Sequence, residues 1–99
     1  MPDTKPLKSN SHHLIFYSKP GCHLCEGLYE KLQAIDAIAL NVEVRDITTN
    51  TNWFELYQYE IPVLAIVKKG VEVNLPRFSP RTTTKKIEEK LMGYLSSSP

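Results

Sequence analysis

The alternation of apolar and polar residues predicts four elements in the first half of the chain. Residues 13–17 are mostly apolar and are typical of a buried strand. From residue 23 to about 38, apolar residues recur every three or four positions, which predicts an amphipathic helix. Residues 40–45 alternate, as in a half-buried strand, and a short helix is predicted through Trp53 and Tyr57. The apolar stripe of the first helix consists of Leu24, Leu28, Leu32, Ile35 and Ala39.

The second half of the chain begins with a different pattern. Pro62 precedes a continuous apolar run at 63–67, which favours a central strand covered on both faces. Proline lacks the N–H that a sheet ladder uses, so it belongs at the first position of such a strand. A tight turn at 68–70 and an alternating segment at 71–75 then predict an antiparallel hairpin.

One more helix is predicted at the end of the chain. Ser79 and Pro80 can serve as its N-cap and first helical residue. The order is then βαβαββα, which predicts an α/β fold with a four-stranded mixed sheet and helices on both faces. The first strand–helix–strand unit should be parallel. The inner face of the last helix consists of Ile87, Leu91, Tyr94 and Leu95.

Length and charge limit the function classes. The 99 residues correspond to one domain, which we place at 12–96, behind a polar tail at 1–11 that we expect to be disordered. The net charge of +1 gives no reason to expect a nucleic-acid or membrane partner. No apolar run approaches the roughly 18 residues of a membrane span, and the N-terminus does not resemble a secretory signal. We therefore expect a cytoplasmic protein, in which two cysteines are more often catalytic or metal-binding than structural.

The two cysteines lie where the first strand ends and the first helix begins. The first turn of a helix has amides without intrahelical partners and carries about half a positive charge, both of which favour a thiolate at Cys22. Lowering a thiol pKa by two units corresponds to about 2.7 kcal/mol. The dipole supplies only about 0.3–1 kcal/mol at an exposed site, so hydrogen bonds and Lys19 would have to supply the rest. Cys25 follows one turn later on the same face, close enough for a disulfide that forms and breaks.

These features together resemble a known family. The element order, with Cys-X-X-Cys at the first junction and a proline opening the third strand, resembles the thioredoxin fold and its small glutaredoxin branch. Residues 17–25 are similar to the glutaredoxin segment in which a lysine precedes the first cysteine by three positions. Residues 61–64 resemble the family's Val-Pro segment, in which the proline is cis. The resemblance covers roughly 13–95.

The chain also departs from typical glutaredoxins. The dipeptide between the cysteines is His23-Leu24, where typical dithiol members have Pro-Tyr. The Gly-Gly and Cys-Asp-Asp segments that hold glutathione in that family are absent from residues 75–82. The chain therefore resembles a divergent glutaredoxin-like family more than a standard member.

The resemblance implies a thiol–disulfide oxidoreductase. Cys22 would be the nucleophile that forms a mixed disulfide, and Cys25 the resolving thiol. A disulfide-containing protein or glutathione disulfide would be the partner. Glutathione is the candidate electron donor, and no metal or organic cofactor is expected. We expect a monomer.

Four further residues have expected roles at the site. Lys19 would stabilise the thiolate or hold a carboxylate of glutathione, although an ordinary solvated lysine explains it equally well. Pro62 would be cis and leave the backbone of Ile61 to pair with an extended substrate. His23 as an imidazolium would favour the thiolate and make the disulfide a better oxidant, although a side chain that points to water explains this histidine equally well.

Several alternatives stay open at this point. Arg77 and Arg81 are candidates for binding a carboxylate, although solvated charges are more common. The two cysteines with a histidine would suit zinc or copper, or a dimer would share an iron–sulfur cluster, in a metal-binding or metal-delivery module. A thioredoxin-fold interaction domain without catalysis is the remaining hypothesis.

Overall fold

The computed structural model describes residues 12–96, so the predicted disordered tail lies outside the described residues. The element order βαβαββα is confirmed, with a 3₁₀ helix at Ile47–Thr49 between the second strand and the second helix. None of the helices within 12–96 is both long enough and apolar enough to cross a membrane. The elements are β1 (His12–Ser18), α1 (His23–Gln33), β2 (Leu40–Asp46), α2 (Thr51–Tyr57), β3 (Val63–Lys68), β4 (Val71–Asn74) and α3 (Thr84–Ser96).

The strands form one mixed sheet in the order β2-β1-β3-β4. β1 is parallel to β2, as expected across the first helical crossover, and antiparallel to β3. β3 is in turn antiparallel to β4. The register places Tyr17 opposite Val63, so the end of β1 and the beginning of β3 meet at the same edge of the sheet.

The sheet is covered on both faces, as predicted. Successive side chains of a strand point to opposite faces, so β1 contributes to two separate cores. Leu14 and Phe16 face α1 and α3, where they pack with Leu32, Ile87 and Leu91. The other face is covered by α2. Its cluster consists of Ile15, Tyr17, Ile47, Val63 and Ala65, with Trp53 and Tyr57 packed against it.

Two tight turns require positive φ angles. In the β3–β4 hairpin, Lys69 and Gly70 have φ angles of 53° and 80°. This two-residue geometry matches the right-handed twist of the flanking strands. Gly21 has a φ of 81° directly before Cys22, where an L side chain would be strained.

α1 is shorter than the predicted range of 23–38. It ends at Gln33, and the Ala34 N–H is shared among the carbonyls of Glu30, Lys31 and Leu32, which tightens the last turn. Ile35 is nevertheless buried, because the connection to β2 continues over the same core. The helical spacing of the apolar residues therefore extends beyond the helix itself.

α3 begins at Thr84, not at Ser79 and Pro80 as predicted. The Ser79 hydroxyl accepts the Arg81 N–H at 3.1 Å, which closes a local turn instead of opening a helix. The Thr83 hydroxyl accepts the Lys86 N–H at 3.1 Å, so Thr83 is the residue that caps the helix.

Arg45 connects three strands on the face covered by α2. Its guanidinium lies 5.5 Å from the centre of the Tyr17 ring and 5.1 Å from that of Trp53. Its Nη1 donates to the Tyr17 hydroxyl at 2.9 Å and to Glu72 at 3.3 Å, and its Nε donates to Glu43 at 2.6 Å. The Tyr17 hydroxyl donates to Glu72. Burial and this carboxylate raise the pKa of Tyr17 well above its usual value, so its hydroxyl stays a donor.

We expect Arg45→Met to destabilise the fold by about 2 kcal/mol, because it removes a cation–π contact and charge-assisted hydrogen bonds. The melting temperature Tm, measured by circular dichroism, should fall by roughly 10 °C. Arg81→Met is the matched control, since Arg81 is exposed, and its Tm should change little. Equal Tm values for wild type and Arg45→Met would show that the Arg45 network adds nothing to stability.

Glu43 should make the fold sensitive to acid. Hydrogen bonds from Arg45 and His13 lower the pKa of Glu43 in the folded chain. A lowered carboxyl pKa stabilises the fold above the unfolded value of about 4.3, and this contribution is lost as the pH falls through the folded pKa. Urea unfolding from pH 6 to pH 3 should therefore show a shallower loss of stability for Glu43→Gln than for wild type. The exposed Glu55→Gln should follow wild type, and identical slopes for all three proteins would contradict the assignment.

Candidate active site

Cys22 and Cys25 form a disulfide at the start of α1, with their Cα atoms 5.2 Å apart. Cys22 is the N-cap residue, and its Sγ accepts the Cys25 N–H at 3.1 Å. Its carbonyl accepts the Glu26 N–H at 3.0 Å, which begins the helical ladder. The sulfur of Cys22 thus occupies the position where a helix N-terminus stabilises negative charge.

The two cysteines differ in exposure. Cys25 is only 3% exposed and belongs to the core between the sheet and α1. Cys22 is partly exposed, and the turn before it, at 19–21, is exposed. A thiol or disulfide from another molecule therefore approaches Cys22 more readily than Cys25.

Charged side chains surround the exposed end of the disulfide. His23 Nδ1 lies 3.5 Å from Glu26 Oε1, and their side chains are 93% and 64% exposed. An ion pair this exposed contributes little energy, and Glu26 offsets the charge of a protonated His23. Lys19 is exposed as well, and its carbonyl accepts the Cys22 N–H at 3.3 Å.

Pro62 lies at the centre of a groove beside α1, which we call the Pro62 groove. It consists of two adjoining depressions of about 160 and 120 Å³. The smaller one extends to His23 and Leu24, and the larger one extends to Leu56 and Tyr57. The walls that both depressions share are Leu28, Pro62, Arg77 and Phe78.

The backbone N–H of the residue before Pro62 already donates a hydrogen bond within the chain. The Ile61–Pro62 peptide bond is cis. The Ile61 N–H donates to the Tyr57 carbonyl at 3.1 Å, so it is not free to pair with a substrate strand. An extended substrate at this position would have to pair with the Ile61 carbonyl.

Lys31 holds the loop that forms the far wall of the Pro62 groove. Its Nζ donates to the carbonyls of Pro80 at 2.8 Å and Thr82 at 2.7 Å. These contacts join α1 to the segment that carries Arg77 and Phe78. Sequence reasoning missed this role, because a lysine on the polar side of a helix has the signature of a solvated charge.

The structure does not bring all the predicted site residues together. Lys19 lines a separate groove of about 470 Å³ beside another face of α1. Cys25, Glu26 and Tyr29 also line this groove. Arg77 lines the Pro62 groove, whereas Arg81 is exposed and lines none of these three depressions.

Two apolar site residues escaped prediction. Leu24 was expected in the core with the rest of its stripe, but it is 52% exposed, and Leu56 is 63% exposed. Both line the Pro62 groove at opposite ends. The sequence offered one signal for Leu24, since it lies between the two cysteines in the first turn of the helix.

No group of three or more His, Cys, Asp or Glu side chains that could hold a metal ion occurs within residues 12–96.

Comparison with known proteins gives a family and a fold. Residues 13–92 match the sequence model of the glutaredoxin-like domain family (DUF836). No curated protein matches the chain. A solved structural-genomics target protein, XcR50 from X. campestris, is 23% identical and covers 87% of this chain and 99% of its own, with a TM-score of 0.57.

Two named thioredoxin-fold structures are also similar. Thioredoxin 1 from Thermosipho africanus is 23% identical, covers 83% of this chain and 97% of its own, and has a TM-score of 0.53. The first thioredoxin domain of mouse protein disulfide-isomerase A4 is 19% identical, covers 92% of this chain and 69% of its own, and has a TM-score of 0.59. The predicted thioredoxin-like fold is thereby confirmed.

Proposed function

The chain belongs to the glutaredoxin-like domain family (DUF836), and from this membership and its site we propose that it is a thiol–disulfide oxidoreductase. The observation that supports the proposal most is the unequal exposure of two bonded cysteines at a helix N-terminus. Cys22 is reachable from outside and lies on the positive end of α1, whereas Cys25 is buried one turn behind it.

The first step uses the reduced protein. The Cys22 thiolate attacks one sulfur of a substrate disulfide, so a bond forms between Cys22 and that sulfur while the substrate's own S–S bond breaks. The leaving thiolate takes a proton from solvent. The N–H of Cys25, 3.1 Å from the Cys22 sulfur in the disulfide, is placed to donate to the thiolate before the attack.

The second step releases the substrate. The Cys25 thiol loses its proton and its sulfur attacks the Cys22 sulfur, so the intramolecular disulfide forms, the mixed disulfide breaks and the second substrate sulfur leaves as a thiolate that takes up a proton. Two electrons have then moved from the protein to the substrate, which leaves as two thiols. The Cα separation of 5.2 Å lies within the ordinary range for a disulfide, so the ring closes without large movement of the helix.

Neighbouring residues support these steps. A protonated His23 adds positive charge next to Cys22, which favours the thiolate, and its pairing with Glu26 limits the effect. Pro62 lines the groove, and the proposed role of Ile61 is to pair with the substrate backbone through its carbonyl. Lys19 lines a different groove from Pro62, so its proposed role is to add positive charge near the cysteines.

Cys22→Ser should abolish reduction of a disulfide-linked peptide, because no thiolate remains at the exposed position. Cys25→Ser should instead accumulate a mixed disulfide with the peptide, since the resolving sulfur is missing. Mass spectrometry of the non-reduced protein distinguishes the two outcomes. Substrate reduction by Cys22→Ser at the wild-type rate would refute the assignment and would favour an interaction domain with incidental cysteines.

Glutathione is the proposed electron donor, which a reducing compartment such as the cytoplasm would supply. Two glutathione molecules would reduce the Cys22–Cys25 disulfide and leave as glutathione disulfide. We expect glutathione to reduce the oxidised protein at least about tenfold faster than 2-mercaptoethanol at equal thiolate concentration, as followed by mass spectrometry. Equal rates would show that the site does not recognise glutathione and would point to another thiol donor.

A further inference from the structure

The Pro62 groove is lined by more positively charged than negatively charged side chains. Lys31 and Arg77 are positive at neutral pH, and Glu60 is the one carboxylate among the described residues that line it. The smaller depression is lined by His23 and Leu24, the two residues between the cysteines, so a substrate that reacts at Cys22 can extend into the groove and meet this excess of positive charge. The ionisable residues that line the groove are His23, Lys31, Tyr57, Glu60 and Arg77.

Arg77 is better placed than Lys31 to bind a substrate. Lys31 already donates to two backbone carbonyls, as described above. Arg77 lines both depressions, its side chain is 56% exposed, and its Nη1 is 4.0 Å from Glu60 Oε1. An exposed ion pair at that distance is weak, so a carboxylate from a substrate can replace Glu60 as the partner of the guanidinium.

Each depression of the Pro62 groove is lined by one exposed leucine. Leu24 at one end and Leu56 at the other are 52% and 63% exposed, so each offers apolar surface that a ligand can cover. Glutathione has no apolar side chain that would match either residue. An extended peptide segment has side chains on both sides of its cysteine and can reach both ends of the groove.

We propose that the Pro62 groove binds an extended segment of a protein disulfide in which an acidic residue lies beside the reacting cysteine, and that Arg77 is the residue that selects it. The inference rests on the proposed oxidoreductase function and adds a substrate class to it. In this arrangement the acidic side chain pairs with Arg77, and apolar side chains further along the segment cover Leu24 and Leu56.

The test uses peptides of one length that carry a central cysteine as its disulfide with 2-thiopyridine. They differ only in the residues next to the cysteine, which are aspartate, asparagine or lysine, and they have leucine at the outer positions. The Cys22 thiolate attacks the peptide sulfur, the bond to the pyridine sulfur breaks, and pyridine-2-thione leaves and is followed by its absorbance. Each second-order rate constant is divided by that of 2-mercaptoethanol with the same peptide, which removes differences in intrinsic reactivity.

We expect the normalised rate for the aspartate peptide to exceed that for the asparagine peptide by about fivefold, and the excess to shrink at high ionic strength. Arg77→Gln should bring this ratio close to one, and Arg77→Glu should favour the lysine peptide instead. Arg81→Gln is the matched control and should retain the wild-type ratio, because Arg81 does not line the groove. The Tm of each variant shows whether the fold is intact.

The possible results separate this inference from the function it builds on. If Cys22 of the wild-type protein reacts with all peptides no faster than 2-mercaptoethanol at equal thiolate concentration, the proposed oxidoreductase function fails. If the reaction is fast but the aspartate, asparagine and lysine peptides react equally, the function stands and the substrate class is wrong. An equal loss of preference in Arg77→Gln and Arg81→Gln would assign the effect to overall charge and overturn the role of Arg77.

Discussion

The site depends on one hydrogen bond, from the N–H of Cys25 to the sulfur of Cys22. An N-cap residue is ordinarily Ser, Thr, Asp or Asn, whose side-chain oxygen accepts a first-turn N–H. Here a cysteine takes that position, so the sulfur that caps the first turn of α1 is also the more exposed sulfur of the pair. The same turn places Cys25 in the core, which separates an exposed sulfur from a shielded one within three residues. Helix formation and sulfur chemistry therefore use the same local geometry.

The strand arrangement determines which residues lie near the Cys22 sulfur. Because β1 and β3 are antiparallel and pair Tyr17 with Val63, the residues after β1 and those before β3 emerge at one edge. The first group leads to Cys22 and the second contains Pro62. On the opposite face of the sheet, the Arg45 network joins β1, β2 and β4. The helix start and the groove are thus brought together by strand register, and the hydrogen bonds from Lys31 to the Pro80 and Thr82 carbonyls hold the far wall of the groove against α1.

Sequence patterns predicted those parts that depend on local periodicity and on special backbone angles. The strands, the hairpin turn and the cysteine position followed from alternation, from Lys69–Gly70 and from the strand–helix junction. The ends of the helices were wrong, because Ile35 stays apolar after α1 has ended and Ser79 closes a turn in place of capping α3. The groove was not predicted, since Leu24 has the spacing of a core residue and Lys31 that of a solvated one. Whether an apolar side chain of a helix is covered or exposed depends on elements far away in the chain. The spacing of apolar residues within one helix does not show which elements will cover it.

The difference between core and exposed positions explains how this chain can retain the cysteine pair of the glutaredoxin pattern and change the segment after β4. The cysteine pair is fixed by the start of α1 and by a core that a substitution would disturb over several elements. In the segment between β4 and α3, Leu75 and Phe78 pack against the same core, and two hydrogen bonds from Lys31 hold the carbonyls of Pro80 and Thr82. Other side chains of this segment, such as Arg77, are exposed and are not part of that core. In this chain that segment contributes Arg77 and Phe78 to the groove, where the glutaredoxin pattern has segments that hold glutathione. Under the proposed function, thiol chemistry would depend on the start of α1 and substrate recognition on the segment after β4, so the choice of substrate could diverge while the exchange reaction is retained.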